Sequence, residues 1–527
     1  MKTRFRLLTA AFLAAASIHS YAAAETVLRL DEVPVGEIDP AKATDYADSV
    51  LMFNLYDTLV IPKQGQPGYD PFLATSWESD GKTYTFKLRT DVKFQSGNPL
   101  TAEDVVFSFD RMRKLGQGLS YLFTNVEKAE AVDAATVKFT LTQPYAPFVS
   151  ALTRLPVVDK KLVMENLGEG EGEMKDWGQT YLSGHAAGSG AYKLVSHNPQ
   201  EETVMAKNAA YFIPISAKAP DTVRYRYGLE AATVRTLIAQ GEHDISSQWL
   251  PPEVLKSIAS EGGQLLTEKG TSEFYIKINT AKPPFDDINC RLAVTYAFDY
   301  SAGIQMVAVT DTVSQGSPAT GALPVGLLGS LPADQVIAKD IDKAKDYLSK
   351  CKYKPEEMNV ELSWIGEVPL EERFALLMQA NFTELGIKSE VKKVPWALFT
   401  EQVTKPENTP NISQVFVNTM TGDPDTLLYG MYHSSAAGTW MSPEYLKDAK
   451  VDELLDKGRT AADADRAAIY EELNKRLKEL APSIYAQDQT AVFAASKRVS
   501  VPAMSDPSKA FALSGFGFTF RLMEMNE

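Results

Sequence analysis

Between Pro71 and Arg111 the chain spells out one complete folding unit. Tyr84, Phe86 and Leu88 alternate with Thr85, Lys87 and Arg89, a period of two that puts apolar side chains on one face of a strand and polar ones on the other. Phe72, Leu73 and Trp77 precede this strand. Val92 and Phe94 extend its apolar face as far as Ser96-Gly97-Asn98-Pro99, a turn signal. Thr101 then offers an N-cap, with Glu103 and Asp104 in the first turn and Arg111 and Arg113 further on, the charge order the helix dipole favours. A half-buried strand followed at once by a capped helix predicts a mixed α/β chain. The unit holds no reactive group.

The chain opens on Lys2, Arg4 and Arg6, an apolar run from Leu7 to Ile18, and the small-residue site Ala22-Ala23-Ala24. That order is expected of a secretory signal peptide cut after Ala24. A membrane anchor would need roughly 20 apolar residues, more than this run supplies. No cysteine lies near the cut, so the mature protein is expected free in an exported compartment, most simply a Gram-negative periplasm. About 500 residues remain, room for about three domains of ~150 residues. With 68 acidic against 53 basic residues the net charge is −15, which argues against nucleic acid or an anionic membrane as the main partner.

Chemistry is hard to find. H-E-x-x-H, C-x-x-C, a Walker loop and a G-x-S-x-G elbow are absent, and the run from Gly168 to Gly172 is too acidic to cradle a phosphate. His185, His197, His243 and His433 are scattered without ligand spacing, and a nickel ion would require clustered imidazoles, so neither metal nor cofactor is expected. Cys290 and Cys351 are the two cysteines; in an oxidising compartment they read as one disulfide, with two buried free thiols as the alternative. The chain is not expected to be an enzyme. A secreted hydrolase assembled from distant segments is the rival from another class.

Further along, strands are expected at 192–195, 203–206 and 223–227 and a helix at 230–240. A strand at 244–246 ends in Ser247-Gln248-Trp249, before Pro251-Pro252 open another helix. Strands follow at 360–364, 388–394 and 414–418, with a helical tail over 451–480. The stretch from Tyr145 to Leu155 reads as a helix.

The wording of Pro71–Arg111 closely resembles a segment of the bacterial extracellular solute-binding proteins of family 5, the dipeptide-, oligopeptide- and nickel-binding proteins of ABC importers. So do Gly188 to Leu194 (GSGAYKL), Ala232 to Ile245 (ATVRTLIAQGEHDI), Asn279 to Asp286 (NTAKPPFD), Arg291 to Asp299 (RLAVTYAFD) and Gly386-Ile387 with Trp396, in family order. The resemblance spans nearly the whole mature chain. It implies a two-lobed periplasmic binding protein with an additional third domain. Domain I would comprise 25–70, 188–279 and 497–527, domain II 71–187, and domain III 280–496. A small-molecule ligand would lie between domains I and III, which close by hinge motion and deliver it to permease subunits driven by cytoplasmic ATPases. The protein itself is expected to act as a monomer.

Candidate ligand contacts follow from loops and from the family's pocket. Gln248 and Trp249 sit in the loop past a strand, where an aromatic face can be offered to a cleft, although a core tryptophan would read the same way. Tyr46 falls in the first loop–helix region. Tyr275 starts the crossing into domain III, where alternation allows a core role equally. Trp440 lies in a loop just after His433, while Trp364 and Trp396 read as packing residues. Dipeptide- and oligopeptide-binding members carry a tryptophan and, three residues on, an aspartate that pairs with the peptide's α-ammonium, followed after three more by the acid of an Asp-Pro pair. Anchored on Asp423-Pro424, the corresponding positions here are Val417 and Met420. Neither pairs with an ammonium, and an unpaired buried charge costs several kcal/mol. Met420 is therefore expected to face a ligand without a free amino terminus, such as a sugar, an opine-like solute or a modified amino-acid conjugate. A shifted loop would let Asp423 or Asp425 take over the clamp and restore a conventional peptide binder.

Overall fold

The computed structural model describes residues 25–366 and 368–526; the expected signal peptide lies outside them. Its first sheet pairs Val27–Glu32 in parallel with Thr222–Tyr227, which continues antiparallel into Glu202–Lys207 and Tyr192–Asn198. The sequence marks these strands by alternation, and Leu28, Leu30, Val223 and Tyr225 are buried beneath them.

The unit that opened the sequence analysis forms an antiparallel sheet in the order Ala74–Ser79, Thr83–Leu88, Thr136–Leu141, Val126–Asp133. Phe86 and Phe139 of this sheet meet at 6.0 Å, and Phe109 from the covering helix Ala102–Leu115 reaches Phe139 at 5.6 Å. Asp104 accepts from both the N–H and the hydroxyl of Thr101, which fixes where that helix begins. Gly116 ends it with φ 61°, the left-handed conformation glycine adopts without strain. Arg111 is buried and holds Asp39 through two bonds of 2.5 and 2.6 Å, tying this unit to the first one. The helix expected from Tyr145 to Leu155 is cut short to Phe148–Ala151 and one tight turn at Leu152–Arg154, because Pro144 and Pro147 keep the residues before them out of helical geometry.

The largest sheet has six strands, in the order Gly316–Ser317, Ser483–Ala495, Gln264–Ile278, Ile412–Asn418, Asn359–Ile365, Lys388–Val394. The last two run parallel, and helix Pro369–Glu384 supplies the crossover such a pair requires. Two strands are exceptionally long, Gln264–Ile278 with 15 residues and Ser483–Ala495 with 13. Each leaves one core and enters another. Leu266, Ala491 and Phe493 pack with the first sheet, whereas Phe274, Ile276 and Ile484 pack among the helices of the large one. Their register shifts between Lys269 and Glu273 and again between Phe274 and Tyr275, between the two cores. The sulfurs of Cys290 and Cys351 lie within bonding distance, their Cα atoms 5.1 Å apart.

Candidate functional site

The crossing of the two long strands forms part of the wall of a cavity of about 900 Å³, bordered there by Ser272 and Gln489. Such a volume is typical of a small-molecule site. Its walls come from many parts of the chain: Thr44 to Tyr46, Gly118 to Leu122 with Tyr145, Gln248-Trp249, Trp396, Phe416 to Asn418 with Met420, Asp425-Thr426 with Tyr429-Gly430, and Thr439 to Met441 with Arg459. Aromatic rings dominate. Trp396 and Trp440 meet edge-on at 5.4 Å, and Trp249 stands against Phe416 at 6.1 Å, itself stacked on Phe274.

Five of the eight expected contacts are on this wall: Tyr46, Gln248, Trp249, Met420 and Trp440. Tyr46 donates to Glu268 at 2.9 Å; burial and that carboxylate push its hydroxyl well above the usual tyrosine range, so it stays protonated as the donor. The backbone N–H of Trp249 donates to Ser247 Oγ at 3.2 Å, a local loop turn that leaves the residue 42% exposed. Met420 is fixed through its backbone, whose carbonyl accepts from Arg154 Nε.

Three expectations are corrected. Tyr275 is fully buried, donates to the Ala322 carbonyl at 3.0 Å and packs on Tyr485; strand alternation turned it into the core. Asp423 does not reach the cavity. It caps helix Pro424–Tyr432 by accepting from the Asp425 N–H at 2.9 Å, and Arg466 grips it at 2.6 and 2.8 Å. Aspartate before proline is an N-cap signature, and that role uses up its carboxylate. His433 closes the other end of the same helix, stacked on Tyr429 and bonded to Ser435 Oγ at 2.6 Å.

The sequence reading missed as much. Trp396, expected as a packing residue, does meet Phe399 and Trp440 but is also 38% exposed and on the wall. Arg459 and Asp425, the wall's one ion pair among the described residues, meet at 3.0 Å, with the guanidinium 3.7 Å over the Tyr429 ring and the Tyr145 hydroxyl donating to Asp425 at 3.1 Å. Burial pushes Asp425 up to about 6; Arg459 opposes this, so the carboxylate is ionised at neutral pH. Only an Arg four residues past the helix Pro424–Tyr432 would have been searchable by local spacing, and Arg459 arrives from a helix much further on. The only described group of side chains placed to hold a metal ion is Asp287, Cys290 and Cys351, where helix Ile288–Ala297 meets the end of helix Ile341–Lys350. There Asp287 already accepts N–H groups from Asn289 and Lys352.

Residues 68–439 match the model of the bacterial extracellular solute-binding proteins, family 5 (middle region). The chain belongs to this family, the solute-binding components of ABC importers. It is similar over 88% of both chains, at 27% identity, to a probable D,D-dipeptide-binding periplasmic protein of Escherichia coli K12. It is 27% identical to heme-binding protein A of Haemophilus influenzae, over 88% of this chain and 85% of that one. Its fold matches a periplasmic binding protein of Helicobacter pylori solved with the peptide STSA, with a TM-score of 0.78 over 95% of this chain and 98% of that one at 23% identity. The two-lobed α/β architecture of family 5 is thus the architecture of this chain. Among the described residues no helix is long and apolar enough to cross a membrane.

Proposed function

We propose that this protein acts in the periplasm as a monomer, captures a small solute in the aromatic cavity by closure of its lobes, and passes it to a membrane permease. Its ligand lacks a free α-ammonium: a sugar, an opine-like solute or a modified amino-acid conjugate. One observation supports this above the others. Val417 and Met420 stand on the cavity wall where peptide-binding relatives are expected to carry the tryptophan and the ammonium-pairing aspartate. The two acids nearest in sequence are already engaged, Asp423 by Arg466 and Asp425 by Arg459. The relatives' names span a D,D-dipeptide and a heme, so membership alone leaves the ligand open.

Closure follows from population shift, since a solute touching both lobes stabilises the closed state by its differential affinity. Small-angle scattering should show a smaller radius of gyration at saturating ligand. Calorimetric titration with di- and tripeptides and their N-acetylated forms tests the ligand class: submicromolar binding that vanishes on acetylation would overturn it. Trp249→Ala should weaken binding by about 1–3 kcal/mol and barely move the melting temperature, because the indole is half out in the cavity. The reading also includes a Cys290–Cys351 disulfide, which titration of free thiols in the denatured, unreduced protein would check.

A further inference from the structure

Behind Trp249 and Phe416 lies a second chamber of about 550 Å³, which shares those two rings, Gln248 and Gln489 with the first. Its polar lining is unusual in being left over. Glu32 is 4% exposed; its Oε1 accepts from the Val33 N–H at 3.0 Å and the Ser247 hydroxyl at 3.1 Å, while Oε2 has no hydrogen-bond partner. Gln487 is fully buried and neither end of its amide is bonded. A side chain at Gly316 would collide with that amide, a Cβ there falling 2.5 Å from it. Gln248, 7% exposed, and the half-buried Gln489 make no side-chain hydrogen bond among the described residues. A fifth polar residue, Gln315, is used differently: its amide donates to the Gln248 and Leu250 carbonyls at 3.1 Å and holds the loop in place.

Three amides and a carboxyl oxygen thus face the chamber without a protein partner among the described residues, and the amide of Gln487 is also sealed from solvent. Such groups call for a partner. Amides offer donors and acceptors together, so the complementary group must also do both. Burial raises Glu32 to about 8, which leaves it uncharged at neutral pH and removes the pull on a cation. Arg373 at the chamber edge is taken by Glu253 at 3.0 Å. Beside these polar groups stands the exposed Trp249 indole, an apolar plane for C–H bonds.

Deepening the reading proposed above, on which it rests, we infer that the second chamber binds a run of vicinal hydroxyls, the polyol or sugar part of the solute, with its C–H edge against Trp249 and its hydroxyls on Gln248, Gln487, Gln489 and Glu32. Hydroxyls donate to the amide oxygens and accept from the amide N–H groups and from the protonated Oε2 of Glu32.

The test uses matched probes without ammonium or carboxylate: N-gluconoyl-phenylalaninamide, its deoxy counterpart N-hexanoyl-phenylalaninamide, and phenyl glucoside with cyclohexyl phenyl ether as the ring-shaped pair. Tryptophan fluorescence and calorimetry follow binding to the full-length mature protein. At least one hydroxylated probe should bind about tenfold or more tighter than its deoxy partner, and Gln248→Ala and Gln489→Ala should each erase most of that ratio while the protein still melts as the wild type does. Equal binding within both pairs, no binding of either hydroxylated probe, or a ratio untouched by both variants overturns the inference. The peptide titration is scored separately. Tight free-amino peptides sink the parent reading whatever the probes do, and a failed hydroxyl ratio with silent peptides sinks only this one.

Discussion

Of the many acidic side chains buried among the described residues, two pairs are kept in opposite ways. Asp423 and Asp425, beside the first cavity, each face an arginine, Arg466 at 2.6 Å and Arg459 at 3.0 Å. Glu273 and Asp488 face one another across the two long strands, and neither joins an ion pair among the described residues. Lys277, four residues along the same strand, is committed to Glu444 at 2.5 Å. Neither oxygen of Glu273 makes a hydrogen bond of good geometry, and Asp488 has only the Val325 N–H, at 2.8 Å. Burial pushes Glu273 well above the carboxylate range, and lifts Asp488 to about 7. The loop solves a buried charge with a countercharge; the sheet solves it by holding a proton. The second solution is sensitive to pH near neutrality.

The contrast can be broken most forcefully at Arg466. Arg466→Met leaves Asp423 buried and uncompensated and should cost about 3–5 kcal/mol in denaturant unfolding at pH 7.5. A loss below about 1 kcal/mol, the scale of an exposed pair, would show that the countercharge is dispensable.

At the proton-held pair the sign is the reverse. The native state keeps Asp488 protonated to about pH 7, whereas the unfolded chain releases that proton near pH 4. Native protein therefore holds more protons in this window, and its stability falls as pH rises through it. Asp488→Asn keeps an acceptor for Val325 and removes the titration. It should stabilise by on the order of 1–3 kcal/mol at pH 8, a gain that shrinks toward pH 5. Melting temperatures of both proteins across that range decide it, and a pH-independent offset would refute proton holding.

The smallest effect sharpens the arginine-held side. Tyr145→Phe removes a donor to Asp425 and should cost about 1 kcal/mol at pH 7.5. The cost should decline below pH 6, as Asp425 itself takes up a proton. A cost that grows in acid would place the charge elsewhere.

Much of the framework was readable from local signals. The strand–turn–helix unit from Pro71 to Arg111 folds as its alternation and caps dictate, since each signal acts within a few residues. The same locality explains the errors. Asp423-Pro424 was read for a ligand, yet the dipeptide's strongest local meaning is a helix start. Tyr275 was ambiguous because alternation names two faces without saying which is buried. The cavity itself was legible only where a loop advertised an aromatic. Trp396, just inside a helix after Pro395, and Arg459, brought to Asp425 from a distant helix, gain their place solely through tertiary packing. Unbonded amides such as Gln487 carry no sequence signal at all, because only the fold decides that nothing meets them.

The two long strands that pass from core to core have a mechanical consequence. Side by side and hydrogen-bonded on both flanks of their register shifts, they act as a strap with a single crease. Bending at the crease leaves the ladders intact, whereas twisting or sliding would shear them. A closure taken up at these shifts would narrow the gap over Ser272 and Gln489. A device of that kind gauges thickness. Such a closure would select solutes by thickness before length, leaving the finer choice to the residues at its ends.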